Sequence, residues 1–316
     1  ILSQNGYDIN YKNSNGISAL IAACKVNNND IVSLLLKVKG IDINCVNRLN
    51  ETPLQIAVMN ENVDIVKLLL SQPKIQVDTQ NTSVFYFKDF YSTPLHDSCK
   101  IKNNEIFNLL LHNSLKLFSL KNSSHQTPLH CLVFNNNLNA FQIIKENSTF
   151  FESARNNINK KDATLKTPLE YACSDIDKYE MVKTLVDTFD NIDLNGDEND
   201  DFSPLYFACE SNAINIVSFL LNQDKINVNK QNGYSKMTAL IFACSKNFNE
   251  IVGLILKHPK VDVNLADCDG KTSLHFAIEQ KNEEIVNLLL NENLTININI
   301  VDKYRLASPL HYACET

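Results

Sequence analysis

The chain has 316 residues, 44% of them hydrophobic and 21% charged, and a formal net charge of −7. Those shares are typical of a folded globular chain, and the acidic balance excludes a broad phosphate-binding footprint, which needs clustered Lys and Arg to displace counterions. No stretch approaches the roughly 20 apolar residues of a bilayer span, and residues 1–10 carry no basic-then-apolar leader, so neither nucleic acid nor direct membrane insertion is expected.

In chain order, residues 1–14 read as an extended arm, and Ser18 then opens a pattern that repeats. A Ser or Thr, a small residue or Pro, and a Leu recur at Ser18, Thr52, Thr93, Thr127, Thr167, Ser203, Thr238, Thr272 and Ser308. The hydroxyl caps an orphan backbone N–H, and Pro suits the first helical position, where no partner is needed. Three residues on, His96, His130, His275 and His311 stand where a side chain reaches back to the cap, which makes them structural.

Twelve residues after most caps comes a second amphipathic segment, with an acid in its first turn in Asp30-Ile31-Val32, Asp64-Ile65-Val66 and Glu284-Ile285-Val286. It leads into a β-branched, Asn-rich arm such as Ile41-Asp42-Ile43-Asn44 or Val261-Asp262-Val263-Asn264. The units run 15–44, 49–78, 93–119, 124–163, 164–193, 200–229, 235–264 and 269–299, with a truncated one at 305–316.

Two steps are long. Residues 79–92 form an insertion holding Phe85, Tyr86, Phe87, Phe90 and Tyr91, rings that either anchor a partner or fold back on the neighbouring arm. The unit 124–163 is degenerate: its second helix, 138–145, loses the usual Leu-Leu-Leu ending and reads as a flexible or kinked joint before Phe150 and Phe151.

The segments Ser308-Pro309-Leu310-His311-Tyr312-Ala313 and Thr272-Ser273-Leu274-His275-Phe276-Ala277 resemble the signature of the ankyrin repeat family, and the resemblance covers nearly the whole chain. It implies an all-α fold with short β-hairpin arms: an ankyrin-repeat α-solenoid, a curved stack of helix-turn-helix units binding protein partners on its concave helix face and hairpin tips. The family's Gly two residues before the cap survives as Gly16 and Gly270; Asn50, Tyr91, His125, Asp201 and Leu306 replace it elsewhere. Tyr and Leu tolerate left-handed backbone poorly, so the turns at Tyr91 and Leu306 are expected to depart from the family geometry. Between the helices, Asn27, Asn136, Asn212 and Asn247 replace the family's usual Gly. Both chain ends fall within a unit, as in a fragment of a longer array.

Cys24, Cys99, Cys173, Cys209, Cys244 and Cys314 all lie six residues after a cap, as small core residues with thiols too far apart for disulfides. Cys45 and Cys268 fall in arms and are candidates for exposure. Reduced thiols point to a cytoplasmic location, with the nucleus also open. His125, His130 and Cys131 lack a second pair at zinc spacing, and no phosphate loop or nucleophile motif is present, so no cofactor, metal, small-molecule substrate or catalysis is expected.

Seven residues after the caps, by resemblance the variable concave position, stand Lys25, Met59, Lys100, Phe134, Ser174, Glu210, Ser245, Glu279 and Glu315, passing from basic to acidic. Four residues after the caps, Tyr171, Phe207, Phe242, Phe276 and Tyr312 form an aromatic ladder that reads as stacked core with partial exposure. The leading expectation is a non-catalytic protein–protein interaction scaffold or adaptor. The alternative is a targeting or regulatory arm of a larger enzyme, such as a ligase or kinase, or of a membrane channel.

Overall fold

In a computed structural model, residues 8–81, 91–113, 118–197, 202–291 and 295–315 are described. Phe85, Tyr86, Phe87, Phe90 and Asp201 lie outside them. The chain divides into two compact units, residues 1–168 and 169–316, each described by itself.

The first unit holds α1 (Ala19–Lys25), α2 (Asn29–Leu36), α3 (Pro53–Met59), α4 (Val63–Leu70), α5 (Pro94–Ile101), α6 (Asn104–Leu111), α7 (Pro128–Phe134), α8 (Leu138–Glu146) and α9 (Ser148–Arg155). In the second lie α10 (Pro168–Cys173, from its second residue), α11 (Tyr179–Thr188), α12 (Pro204–Glu210), α13 (Ile214–Leu221), α14 (Ala239–Ser245), α15 (Asn249–Leu256), α16 (Ser273–Glu279), α17 (Glu283–Leu289) and α18 (Pro309–Glu315). Within each unit the first helices pack in one row and the second helices in another, as in α1, α3, α5, α7 beside α2, α4, α6, α8. This is an all-α ankyrin solenoid architecture in which each element contacts mainly its sequence neighbours.

Local chemistry sets the helix ends. Ser18, Thr52, Thr93, Ser203 and Thr238 accept from the backbone N–H three residues on, at 3.1–3.4 Å. Asn caps many of the second helices: Asn28, Asn62, Asn103 and Asn282 accept from Ile31, Ile65, Ile106 and Ile285 at 3.0–3.2 Å. Asn62 also donates to Asn29 Oδ1 at 3.0 Å, and Asn282 to Asn249 Oδ1 at 2.8 Å, tying each cap to the preceding repeat. Between the rows lies the core, where Leu20, Leu54, Leu95 and Leu129 are fully buried.

The arms are turns rather than β-ladders; among the described residues the one isolated bridge joins Ala266 and Thr272. Asparagine side chains do the joining instead. Asn229 Nδ2 donates to the Lys260 carbonyl at 2.7 Å while its Oδ1 accepts from Asp262 N at 2.8 Å, a clamp on the next arm. Asn10, Asn44, Asn195 and Asn264 repeat the donation at 2.8–2.9 Å. Asp78 stands where Asn44 stands one repeat earlier, and a carboxylate has no N–H for the clamp.

Several expectations are corrected. The turns at Tyr91 and Leu306 do take the left-handed geometry, with φ of 59° and 50°, as do Leu165 at 63° and Gly270 at 83°. Buried acids and amides impose it: Asp302 Oδ1 accepts from Tyr304 N and Arg305 N, and Asp162 Oδ1 from Thr164 N and Lys166 N, pinning the loop around the strained residue. The joint at 138–145 is a regular helix, and the extra residues add α9, capped by Asn147 and seated by Phe150, whose ring meets His112 edge-on at 5.0 Å. Cys45 is buried, its Sγ 3.1 Å from Ser18 Oγ. Cys314 is exposed. The other five cysteines of that position are buried.

Candidate protein-binding surface

The position seven residues after each cap closes the first helix. The residue before it points into the core, so a further 100° of helix turn brings it to the surface. In the first unit this sets Val58 and Val133 at 0% exposure beside Met59 at 52% and Phe134 at 63%. Lys25 is exposed, and Lys100 is half-buried with its ammonium 3.6 Å from Asp97. The first-helix row of this unit thus presents two large apolar side chains and two cations on a rigid support. Tyr91, the described member of the aromatic insertion, is 51% exposed at its turn.

In the second unit Glu210 is exposed, Ser174 and Ser245 are half-buried, and Glu279 and Glu315 are engaged. Glu279 holds Lys271 at 2.6 Å, and Glu315 bonds Arg305. The lysine ammonium lies 5.6 Å from the Phe276 ring centre and 5.2 Å from that of Tyr312, and the Arg305 guanidinium 5.5 Å from the latter. Each glutamate therefore fixes a cation over an aromatic face, an arrangement strengthened by partial desolvation.

Of the aromatic ladder, Phe207, Phe242 and Tyr312 are buried, and Tyr171 and Phe276 half-buried. The rings meet across repeats in a staggered register, from the third position after one cap to the fourth after the next. Tyr206 lies 4.8 Å from Phe242, and His275 5.3 Å from Tyr312. Phe202, 37% exposed, extends the run toward solvent at 4.7 Å from Tyr206. Burial pushes the Tyr206 hydroxyl up to about 12, so it stays protonated as a donor.

Sequence reasoning missed Asp97. It stands four residues after its cap, where other units carry Ala22, Ile56, Cys131 or a ring, and that break in the pattern was the available signal. It is buried; Ser92 Oγ donates to its Oδ1 at 2.7 Å, while Oδ2 has no hydrogen-bond partner among the described residues. Burial raises its pKa above the ordinary carboxylate range against the opposing pull of Lys100. Lys271 and Arg305 were also missed, because what makes them part of the surface is the partner each meets at the end of a neighbouring helix.

The histidines after the caps are structural. Thr93 N, Thr127 N and Thr272 N donate to Nδ1 of His96, His130 and His275 at 3.1–3.3 Å. Nε2 then meets a carbonyl of the next repeat, of Gln126, Lys166 and Ala307, at 3.1–3.2 Å, which makes it the protonated nitrogen. Burial lowers His130 to about 4. Among the described residues no group of three or more His, Cys, Asp or Glu is arranged to hold a metal, and no helix is long and apolar enough to cross a membrane.

A family model described as ankyrin repeats, in three copies, matches residues 1–81, 148–232 and 225–302. No curated protein matches the chain in sequence.

Proposed function

The chain belongs to the ankyrin repeat family, and we propose that it is a non-catalytic scaffold that holds a protein partner on the first-helix row and on the arm tips. Ankyrin repeats are protein–protein interaction modules and typically non-catalytic. The observation that carries the finer reading is the exposure of Met59 and Phe134, at 52% and 63%, each next to a fully buried valine. Large apolar side chains held on rigid helices lose little entropy on binding and serve as anchors, while Lys25 and Lys100 add charge selection. Nine free thiols fit a reducing compartment, and the cytoplasm is the proposed location.

The test is affinity capture from a matched lysate with the wild-type chain, a Met59→Ser/Phe134→Ser variant and a Phe85→Ser/Phe87→Ser/Phe90→Ser variant, all with equal helicity by circular dichroism. A partner lost with the first variant supports the helix row, and one lost only with the second moves the site to the arm. Failure of the folded wild-type chain to retain any protein overturns the reading.

A further inference from the structure

α15 contains a residue that its own fold does not call for. Gly253 sits in the helix interior where the other second helices carry Ser33, Lys67, Asn108, Gln142, Lys183, Ser218 and Asn287. Glycine there costs about 0.5–1 kcal/mol relative to alanine. The helix has no compensating cap, since Phe248 at its N-cap makes no side-chain bond. A Cβ built on Gly253 meets nothing within 4 Å, so neither internal packing nor a left-handed backbone requires the missing side chain.

Its absence opens the second-helix row. A groove of about 720 Å³ runs between α15 and α17, with Gly253, Leu254 and Leu288 among its lining residues. Glu250 and Glu284 flank it near the helix N-termini, and Lys257 lies just beyond the C-terminal end of α15. The groove is lined by Leu254, Leu256 and Leu288 together with the polar Asn249 and Asn291, and it carries opposite charge toward its two ends, where Glu284 also accepts from Asn249 Nδ2. A groove between two packed helices accepts a ridge of side chains from a third, and a glycine in its wall lets that helix come closer than any other residue would.

We propose that this groove docks an amphipathic helix from a partner protein, with leucine-type side chains turned inward, a Lys or Arg facing Glu250 and Glu284, and an acidic residue facing Lys257. The charge separation fixes the orientation of the docked helix, and the glycine fixes where it lies deepest. The site lies between two second helices of the second unit, whereas Met59 and Phe134 close first helices of the first unit, and it does not depend on the function proposed for them.

The probe is a fluorescein-labelled amphipathic peptide of about 16 residues, long enough to hold helix in water, with leucines on one face, lysines in one half and glutamates in the other. A control peptide of identical composition has its charges interleaved. Fluorescence anisotropy against the whole chain is expected to show the segregated peptide binding about tenfold tighter than the control, a difference set by charge register alone. Gly253→Leu removes that binding while leaving the thermal midpoint unchanged or higher, and Glu250→Lys/Glu284→Lys removes the preference. Equal affinity for the two peptides, undiminished binding to the Gly253→Leu chain, or no binding to wild type overturns the proposal. Any of those results leaves the first-helix reading standing, because the Met59→Ser/Phe134→Ser capture reports on a separate surface.

Discussion

Gln55 and His130 occupy the same place in two different repeats and make the same pair of bonds. Each accepts from the backbone N–H of its own capping threonine, at 3.3 and 3.1 Å, and each reaches a carbonyl of the next repeat, that of Ser92 at 2.8 Å and that of Lys166 at 3.1 Å. A carboxamide and a neutral imidazole are interchangeable here because each offers one acceptor and one donor at the right separation. Of the two, only the imidazole can take up a proton in mild acid.

The relationship predicts an acid-labile repeat. Burial holds His130 to about 4 against an ordinary 6.5, so between those values the unfolded chain binds a proton that the folded chain refuses. Its contribution is fully present above pH 6.5 and is lost as the pH falls toward 4, amounting to about 3 kcal/mol. The His130→Gln variant is expected to fold normally and to lose that part of the acid sensitivity, read from urea midpoints at pH 7 and pH 4.5. Equal acid sensitivity in the two proteins would exclude His130 as the titrating group.

Asp97 titrates in the opposite sense. Its folded-state pKa is raised by burial, so the folded chain holds the proton longer, and stability falls as pH rises from the ordinary carboxylate value through the folded one. Asp97→Asn removes the buried ionisable group and is expected to raise stability at pH 7 by roughly 1 kcal/mol or more, with a smaller gain in acid. A loss of stability at pH 7 in denaturant titrations would show that the Ser92 and Lys100 contacts outweigh the burial cost.

Leu165 stores strain at the surface. It holds φ at 63° while 67% exposed, so glycine relieves the left-handed backbone without removing packing. After the entropy that glycine adds to the unfolded chain, Leu165→Gly is expected to stabilise by about 0.5–1 kcal/mol. The same change made at Leu36, in ordinary helical backbone, is expected to destabilise.

The arm clamp is a matter of one N–H. Asn229→Asp keeps the acceptor for Asp262 N but faces an oxygen to the Lys260 carbonyl, and is expected to cost about 1–3 kcal/mol. Hydrogen exchange at Asp262 N reads it directly: protection equal to wild type would mean that the clamp contributes nothing.

Thiol accessibility separates the cysteines. Cys314 is exposed and expected to alkylate first; Cys268 is half-buried, with its pKa raised and Asp269 beside its thiol, and follows slowly. Cys24, with burial pushing its thiol to about 12, and Cys209, buried likewise, are expected to react only on unfolding. Mass-spectrometric mapping of iodoacetamide labelling gives the order.

Much of this organisation is legible in the sequence because it is local. A capping Thr, its Pro and the His or Gln three residues on fall within one helical turn, and Asn10, Asn44, Asn195, Asn229 and Asn264 recur in register with the caps. The candidate surface was legible in part. Position after the cap led to Met59 and Phe134, whereas Asp97 and the Lys271 and Arg305 pairings answer to residues brought near by the fold.

The sequence alone determined the first helices, their caps and the row of positions just past the core, since each depends on hydrogen bonds or side-chain periodicity within a few residues. Stacking decided the rest. The left-handed turns at Tyr91 and Leu306 contradict the preference of those residues and exist because neighbouring Asn or Asp side chains hold the loop from within the fold. Cys45 is buried by the preceding repeat, and α9 is seated on His112 by Phe150, a ring far from it in the chain. Local preferences are worth about 1 kcal/mol each, and where tertiary burial and shared hydrogen bonds exceed them, the tertiary structure prevails.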